Sequence, residues 1–202
     1  MSLFAEIVQQ ARAQSLPEVC AVIAAILYLV LAIRQNIACW FFAAISTALY
    51  VWLFIAARLY MEAALNVFYL GMAGYGFAVW YAGRAPDQRL PVVVWPIRVH
   101  AAAATALLAL SMLNGYLLDR FTDAAFPYID SMTSWFAIWA TFLVARKVLE
   151  NWWYWLAIDA VSVIIYWSRD LQLTSILFVV YIVMIPFGLV AWTRSMQDRQ
   201  AA

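Results

Sequence analysis

Charge is scarce in this 202-residue chain. Only 11% of its residues are Asp, Glu, Lys or Arg, against roughly 25% in an ordinary soluble domain. Apolar residues make up 68%, and the mean hydropathy is +0.85. A soluble fold of this length buries only about 70% of the surface that its unfolded chain exposes, so it has no means of hiding so much apolar area. That argues against a soluble enzyme and for an integral membrane protein. Twelve cationic against eleven acidic side chains leave a net charge of +1, without the basic excess of a nucleic-acid-binding surface. The single lysine, Lys147, falls at a predicted helix end, whereas a retinal Schiff base needs one in mid-helix. The single histidine, His100, cannot ligate haem on both faces or build the usual metal-binding sets. No Gly-x-x-x-x-Gly-Lys-[Ser/Thr] segment supplies a nucleotide-driven motor, and no Gly-x-Ser-x-Gly supplies a hydrolase nucleophile. No catalytic residue, metal or cofactor is expected. The two cysteines, Cys20 and Cys39, lie in apolar runs and read as buried packing residues rather than a disulfide.

What is present is a series of long apolar runs. A spanning helix needs about 20 largely apolar residues, and seven such stretches are predicted at 17–33, 37–56, 60–81, 93–118, 127–144, 152–167 and 171–192. A polar segment with Pro86 as breaker follows the third, and residues 119–123 close the fourth. Residues 1–15 are mildly amphipathic and lack the features of a cleavable signal peptide; they read as an interfacial lead-in helix. Seven spans put the termini on opposite sides. One side then collects Arg12, Arg58, Arg120 and Arg169, and the other collects Arg34, Arg84, Arg89, Arg98, Arg146, Lys147, Arg194 and Arg199. The positive-inside bias places the second side, and the C-terminus, in the cytoplasm.

The stretches also resemble one another. At an offset of 112, Leu65 meets Leu177, Tyr69 meets Tyr181, Met72 meets Met184, Gly76 meets Gly188 and Trp80 meets Trp192; the second stretch is laid on the sixth at an offset of 115, bringing Trp40 to Trp155 and Thr47 to Ser162. The expected fold is all-α, with two parallel three-helix repeats joined by a fourth spanning helix. Its parts are an interfacial helix (1–16), a first repeat (17–82), a linker with the fourth helix (83–126), a second repeat (127–194) and a cytoplasmic tail (195–202). The glycines and Pro186 at matching places suit either hinges or close packing by small residues.

Ionisable groups inside a membrane are costly and rare, and Asp159 falls in the middle of the sixth stretch. Trp152, Trp155, Asp159, Ser162 and Tyr166 stay within about 80° on one helical face. A lipid-facing stripe would not contain a carboxylate, although Trp152 and Trp153 also suit an interfacial aromatic belt. The third stretch offers Glu62, Asn66 and Tyr69, and the second Trp40, Thr47 and Tyr50. The fifth opens with Asp130, Thr133 and Ser134, where Asp130 serves equally as an acidic residue favoured near a helix N-terminus. Indole and phenol faces attract cations, and a buried carboxylate adds charge complementarity. Amides and hydroxyls bond sugar hydroxyls. The predicted ligand is a flat, cationic heteroaromatic.

Three segments carry a family resemblance: Asp130-Ser-Met-Thr-Ser134, Ala145-Arg-Lys-Val-Leu-Glu-Asn-Trp152 and Trp155-x-x-x-Asp159. Together with Arg34-Gln-Asn36, Trp40 and the Glu62/Asn66/Tyr69 group, they resemble the PnuC family of bacterial vitamin transporters over residues 17–194. The sixth helix of that family has a Trp-x-x-Trp-x-x-x-Asn or -Asp pattern. The resemblance implies a fold similar to SWEET sugar transporters and assembly as a homotrimer. It also implies uptake of nicotinamide riboside across the bacterial inner membrane by facilitated diffusion, driven by intracellular phosphorylation. Nicotinamide riboside members often carry Asn where this chain has Asp159. Relatives carry thiamine or riboflavin, and a carboxylate suits thiamine as well as nicotinamide riboside but suits uncharged riboflavin less. Other classes compatible with the composition are a channel and the substrate-binding membrane subunit of a motor-driven importer.

Overall fold

Glu18 opens the first long helix by accepting hydrogen bonds from the Ser15 backbone N–H and hydroxyl, with Pro17 in the first turn. The computed structural model describes residues 7, 9, 10, 12–56, 60–83, 90–123, 126–169 and 171–201. Seven long helices follow in order: α1 (Leu16–Ile33), α2 (Ala38–Ala56), α3 (Tyr60–Ala82), α4 (Ile97–Phe121), α5 (Pro127–Ala145), α6 (Asn151–Ser168) and α7 (Gln172–Gln200). Five of them (α1, α2, α3, α4 and α7) are long and apolar enough to cross a membrane. The other two, α5 and α6, have 19 and 18 residues. Their tryptophans, tyrosines and polar residues, including Asp130, Asn151 and Asp159, make them less apolar.

Two boundaries differ from expectation. The fourth helix begins at Ile97 rather than near residue 93, because Pro91 and Pro96 keep the preceding run extended. In that run the Val93 N–H donates to the Lys147 carbonyl at 3.0 Å, and the Leu149 N–H to the Val93 carbonyl at 2.8 Å. The seventh helix continues to Gln200, so most of the expected tail is helical. In the expected lead-in helix, Gln10 bonds to the start of α7, accepting from the Leu173 N–H at 3.1 Å. Arg58, Arg84, Pro86 and Arg89 lie outside the described residues. Cys39 is buried as expected, but Cys20 is exposed; both are free thiols.

In sequence order, α1, α2 and α3 pack in succession, as do α5, α6 and α7, and α4 lies on α5. The two groups meet where α3 touches α5 and where α1 touches α7. The main core sits at one end of this arrangement. It gathers Ala32, Cys39, Trp40, Ala73, Trp80, Val144, Ala145, Trp152, Ile185 and Trp192. The turns α1–α2 and α5–α6 reverse the chain at that same end. Each uses a left-handed residue just past its helix, Gln35 (φ 52°) and Lys147 (φ 51°), a conformation uncommon for side chains with a Cβ. The Lys147 ammonium donates to the Gln35 side-chain carbonyl at 3.1 Å and lies over the Trp80 ring.

Candidate functional site

The α6 stripe faces inward. Asp159 is 3% exposed, Ser162 is buried, and Trp155 and Tyr166 are half-buried, whereas Trp153, Ile164 and Trp167 on other faces are exposed. Asp159 is the ninth of eighteen residues in α6, and its carboxylate makes no hydrogen bond or ion pair among the described residues. Trp155, one turn earlier on the same face, packs against the main core and also against a smaller cluster of Ala137, Ala140 and Ile158. Tyr69 of α3 packs on that smaller cluster too, so α3, α5 and α6 converge there. Tyr166 stacks on Phe178 of α7 at 5.2 Å, and Phe178 meets Tyr181 edge-on at 5.8 Å. The Tyr181 phenol lies within electrostatic range of Asp159. The 112-residue offset pairs Tyr181 with Tyr69, but no polar stripe on α7 singles it out as a site residue from the sequence.

Two expected ligand faces are structural instead. Trp40 is 2% exposed, and an added Cβ on Gly76 would fall 2.3 Å from its ring; Trp152 is also 2% exposed and lies against Gly188, with a Cβ distance of 2.4 Å. Both indoles are wedged where only glycine fits, so neither has a face free for a ligand. Trp40 meets Trp80 edge-on at 5.5 Å and 87°, and Trp152 meets Trp192 at 5.5 Å and 85°. Trp152, rather than Trp155, therefore has the surroundings of Trp40, and the two indoles lie 112 residues apart, as do Gly76 and Gly188. Trp192, whose place at the far end of the seventh stretch suits an interface anchor, is instead fully buried and donates its indole N–H to the Ala32 carbonyl at 3.0 Å.

The remaining candidates are more dispersed. Asp130 accepts from Arg169 at 3.0 Å at the opposite end from the tryptophans, which ties the start of α5 to the end of α6. Its carboxylate is thus already engaged. The Asn66 amide donates to the Glu62 carbonyl of its own helix at 2.9 Å, and the Thr47 hydroxyl donates to the Ala43 carbonyl at 2.8 Å. A groove of about 380 Å³ between α5 and α6 is lined by Thr133, Phe136, Trp153 and Tyr154. Its exposed wall at Trp153 puts it outside the inward stripe.

A family model described as nicotinamide mononucleotide transporter matches residues 15–194, which takes in α1 to α6 whole and α7 as far as Arg194. The chain belongs to this family. It is 22% identical over 207 residues to the nicotinamide riboside transporter PnuC of Escherichia coli (strain K12), covering 90% of this chain and 87% of that one. The PnuC of Shigella flexneri matches to the same extent. The fold is similar to the crystal structure of the vitamin B3 transporter PnuC, with a TM-score of 0.73 and 20% identity over 97% of this chain and 90% of that one. These relatives are transporters rather than enzymes, and the apolar helices fit a multi-pass membrane protein of this family.

Proposed function

We propose that this protein carries nicotinamide riboside across the bacterial inner membrane by facilitated diffusion, and that phosphorylation inside the cell traps the substrate. The observation that carries this reading is the unpartnered Asp159 carboxylate beside Trp155 on the inward face of α6. Such a group favours a cationic ring, and an indole face adds to the attraction. The family label names a mononucleotide and the relatives' names a riboside. Charge favours the riboside, because no Lys or Arg lies on the α6 stripe to meet a phosphate, and Asp159 repels one. Trp155, Asp159, Ser162, Tyr166, Tyr69 and Tyr181 line the proposed site, with Asn66 at its margin.

The proposed architecture is two parallel three-helix repeats joined by α4. It is supported by the single 112-residue spacing that relates Trp40, Gly76, Trp80 and Gln35 to Trp152, Gly188, Trp192 and Lys147. A site between the repeats suits a rocking transporter. The cationic residues favour a cytoplasmic C-terminus, and we carry the homotrimer of the family forward on resemblance alone. The test is uptake of radiolabelled nicotinamide riboside into proteoliposomes, with thiamine as competitor. Uptake should saturate and, with no gradient imposed, stop at equal concentrations inside and out. Transport of thiamine in preference would assign the site to another cationic vitamin, and uptake of neither would overturn the reading.

A further inference from the structure

Two recesses on the outer face of α5, α6 and α7 meet at Trp153, whose indole is 58% exposed. One is the apolar groove of about 380 Å³ between α5 and α6, with Phe136, Tyr154, Ile158 and Val161 along it. From Trp153 to Val161 it follows α6 for about 12 Å, against roughly 15 Å for one leaflet's share of the hydrocarbon core. The other recess, of about 400 Å³, lies between α6 and α7 and adds Leu189, Val190, Thr193 and Arg194. Arg194 is exposed, and neither its guanidinium nor the Thr193 hydroxyl makes a side-chain hydrogen bond or ion pair among the described residues, although Asp198 follows one turn later. Glu150, close to Trp153 in the chain, is turned toward the start of α4, where it accepts from the Trp95 N–H at 3.3 Å and faces His100 at 3.8 Å.

We propose that the two recesses together seat one anionic phospholipid. Its phosphate meets Arg194 and Thr193, and one acyl chain crosses Trp153 and lies in the α5–α6 groove as far as Val161. Each part matches by its own chemistry. A cation between spanning helices at the membrane surface attracts an anionic headgroup, an exposed indole suits the headgroup level, and a groove without a charged residue suits a hydrocarbon chain. Arg194 stands at the same end as Arg146 and Lys147, the end that the cationic residues favour for the cytoplasm, so the lipid comes from that leaflet. The groove also adjoins the substrate region. Phe136 and Tyr154 on its wall pack on the cluster of Ala137, Ala140 and Ile158, as Trp155 does from the inward face. A chain in the groove thus backs that wall from the lipid side without entering the site. The seat does not rest on the transport reading and is indifferent to which vitamin is carried.

Native mass spectrometry of the purified protein, titrated with phosphatidylglycerol and with phosphatidylcholine of identical acyl chains, tests this. One phosphatidylglycerol per chain should be retained in about fivefold preference, the equivalent of about 1 kcal/mol for one cationic side chain at the headgroup. Arg194→Gln should remove the preference, while Arg98→Gln, at an exposed cation of α4, should leave it intact. Ala157→Trp, which fills the groove from its exposed wall, should reduce retention of both lipids. Equal retention of the two lipids by the parent, or a preference that survives Arg194→Gln, would overturn the headgroup seat. Retention untouched by Ala157→Trp would overturn the acyl groove. Displacement of phosphatidylglycerol by inorganic phosphate at equal concentration would make this a free-anion site instead. A parent that holds no lipid, with an oligomeric state that changes in Ala157→Trp, would make the groove a contact between copies of the chain and overturn the lipid seat.

Discussion

Trp80 and Trp192 lie 6.4 Å apart, and each donates its indole N–H to a carbonyl of the other half of the chain, Trp80 to Ala145 at 3.1 Å and Trp192 to Ala32 at 3.0 Å. The two bonds are reciprocal, joining the end of α3 to that of α5 and α7 to the end of α1. With Trp40 and Trp152 outside them, the pair forms a row of four indoles that closes one end of the molecule.

Trp192→Ala should therefore be a stability variant. Removing a fully buried indole costs about 3–5 kcal/mol, and the Ala32 carbonyl loses its donor. A lower melting temperature in detergent is expected. Trp192→Phe, which keeps a ring and loses the N–H, should cost less, about 1 kcal/mol from the bond itself. An Ala variant as stable as the parent would show that the row does not hold the two halves together.

Trp155→Ala should act on affinity. A cation over a desolvated indole face gains about 2 kcal/mol, or roughly 30-fold in Kd. Titration calorimetry with nicotinamide riboside is the measurement, with the melting temperature as control for unfolding. Unchanged affinity would move the site away from α6.

Asp130→Asn should leave substrate affinity unchanged. Its ion pair with Arg169 is partly solvated, with side chains 39% and 32% exposed, and such pairs are worth no more than about 1 kcal/mol. A tenfold loss of affinity would return Asp130 to the site.

A reporter fused to the C-terminus should be active only if it functions in the cytoplasm. Activity of a periplasmic reporter there would reverse the orientation proposed from the Arg and Lys distribution.

The seven helices were legible because apolar run length and breakers such as Pro17 and Pro127 act locally. The inward direction of α6 was legible as well, since one carboxylate at Asp159 fixes which face avoids lipid. The environment of the tryptophans was not. Trp152, Trp155 and Trp192 are chemically alike, and which of them wedges, which faces the interior and which seals an end depends on a glycine about 36 residues further on or on a carbonyl about 160 residues away. The 112-residue spacing is visible in the sequence of α3 and α7, but in α2 and α6 Trp155 competes with Trp152 as the counterpart of Trp40, and only the glycine packed on each ring separates them. Asp130 was ambiguous because its partner, Arg169, sits at the far end of the next helix.

The glycine wedges also have a consequence for heredity. With a Cβ at Gly76 falling 2.3 Å from the Trp40 ring and one at Gly188 falling 2.4 Å from Trp152, neither member of a pair is free to change alone. A larger residue at the glycine demands a smaller one at the indole, and a smaller ring leaves a void that only a larger neighbour fills. Each pair is thus a single unit of mutation. In a selection for vitamin uptake, revertants of Gly188→Ala that leave position 188 untouched should fall at Trp152, a residue far away in the chain and adjacent in space.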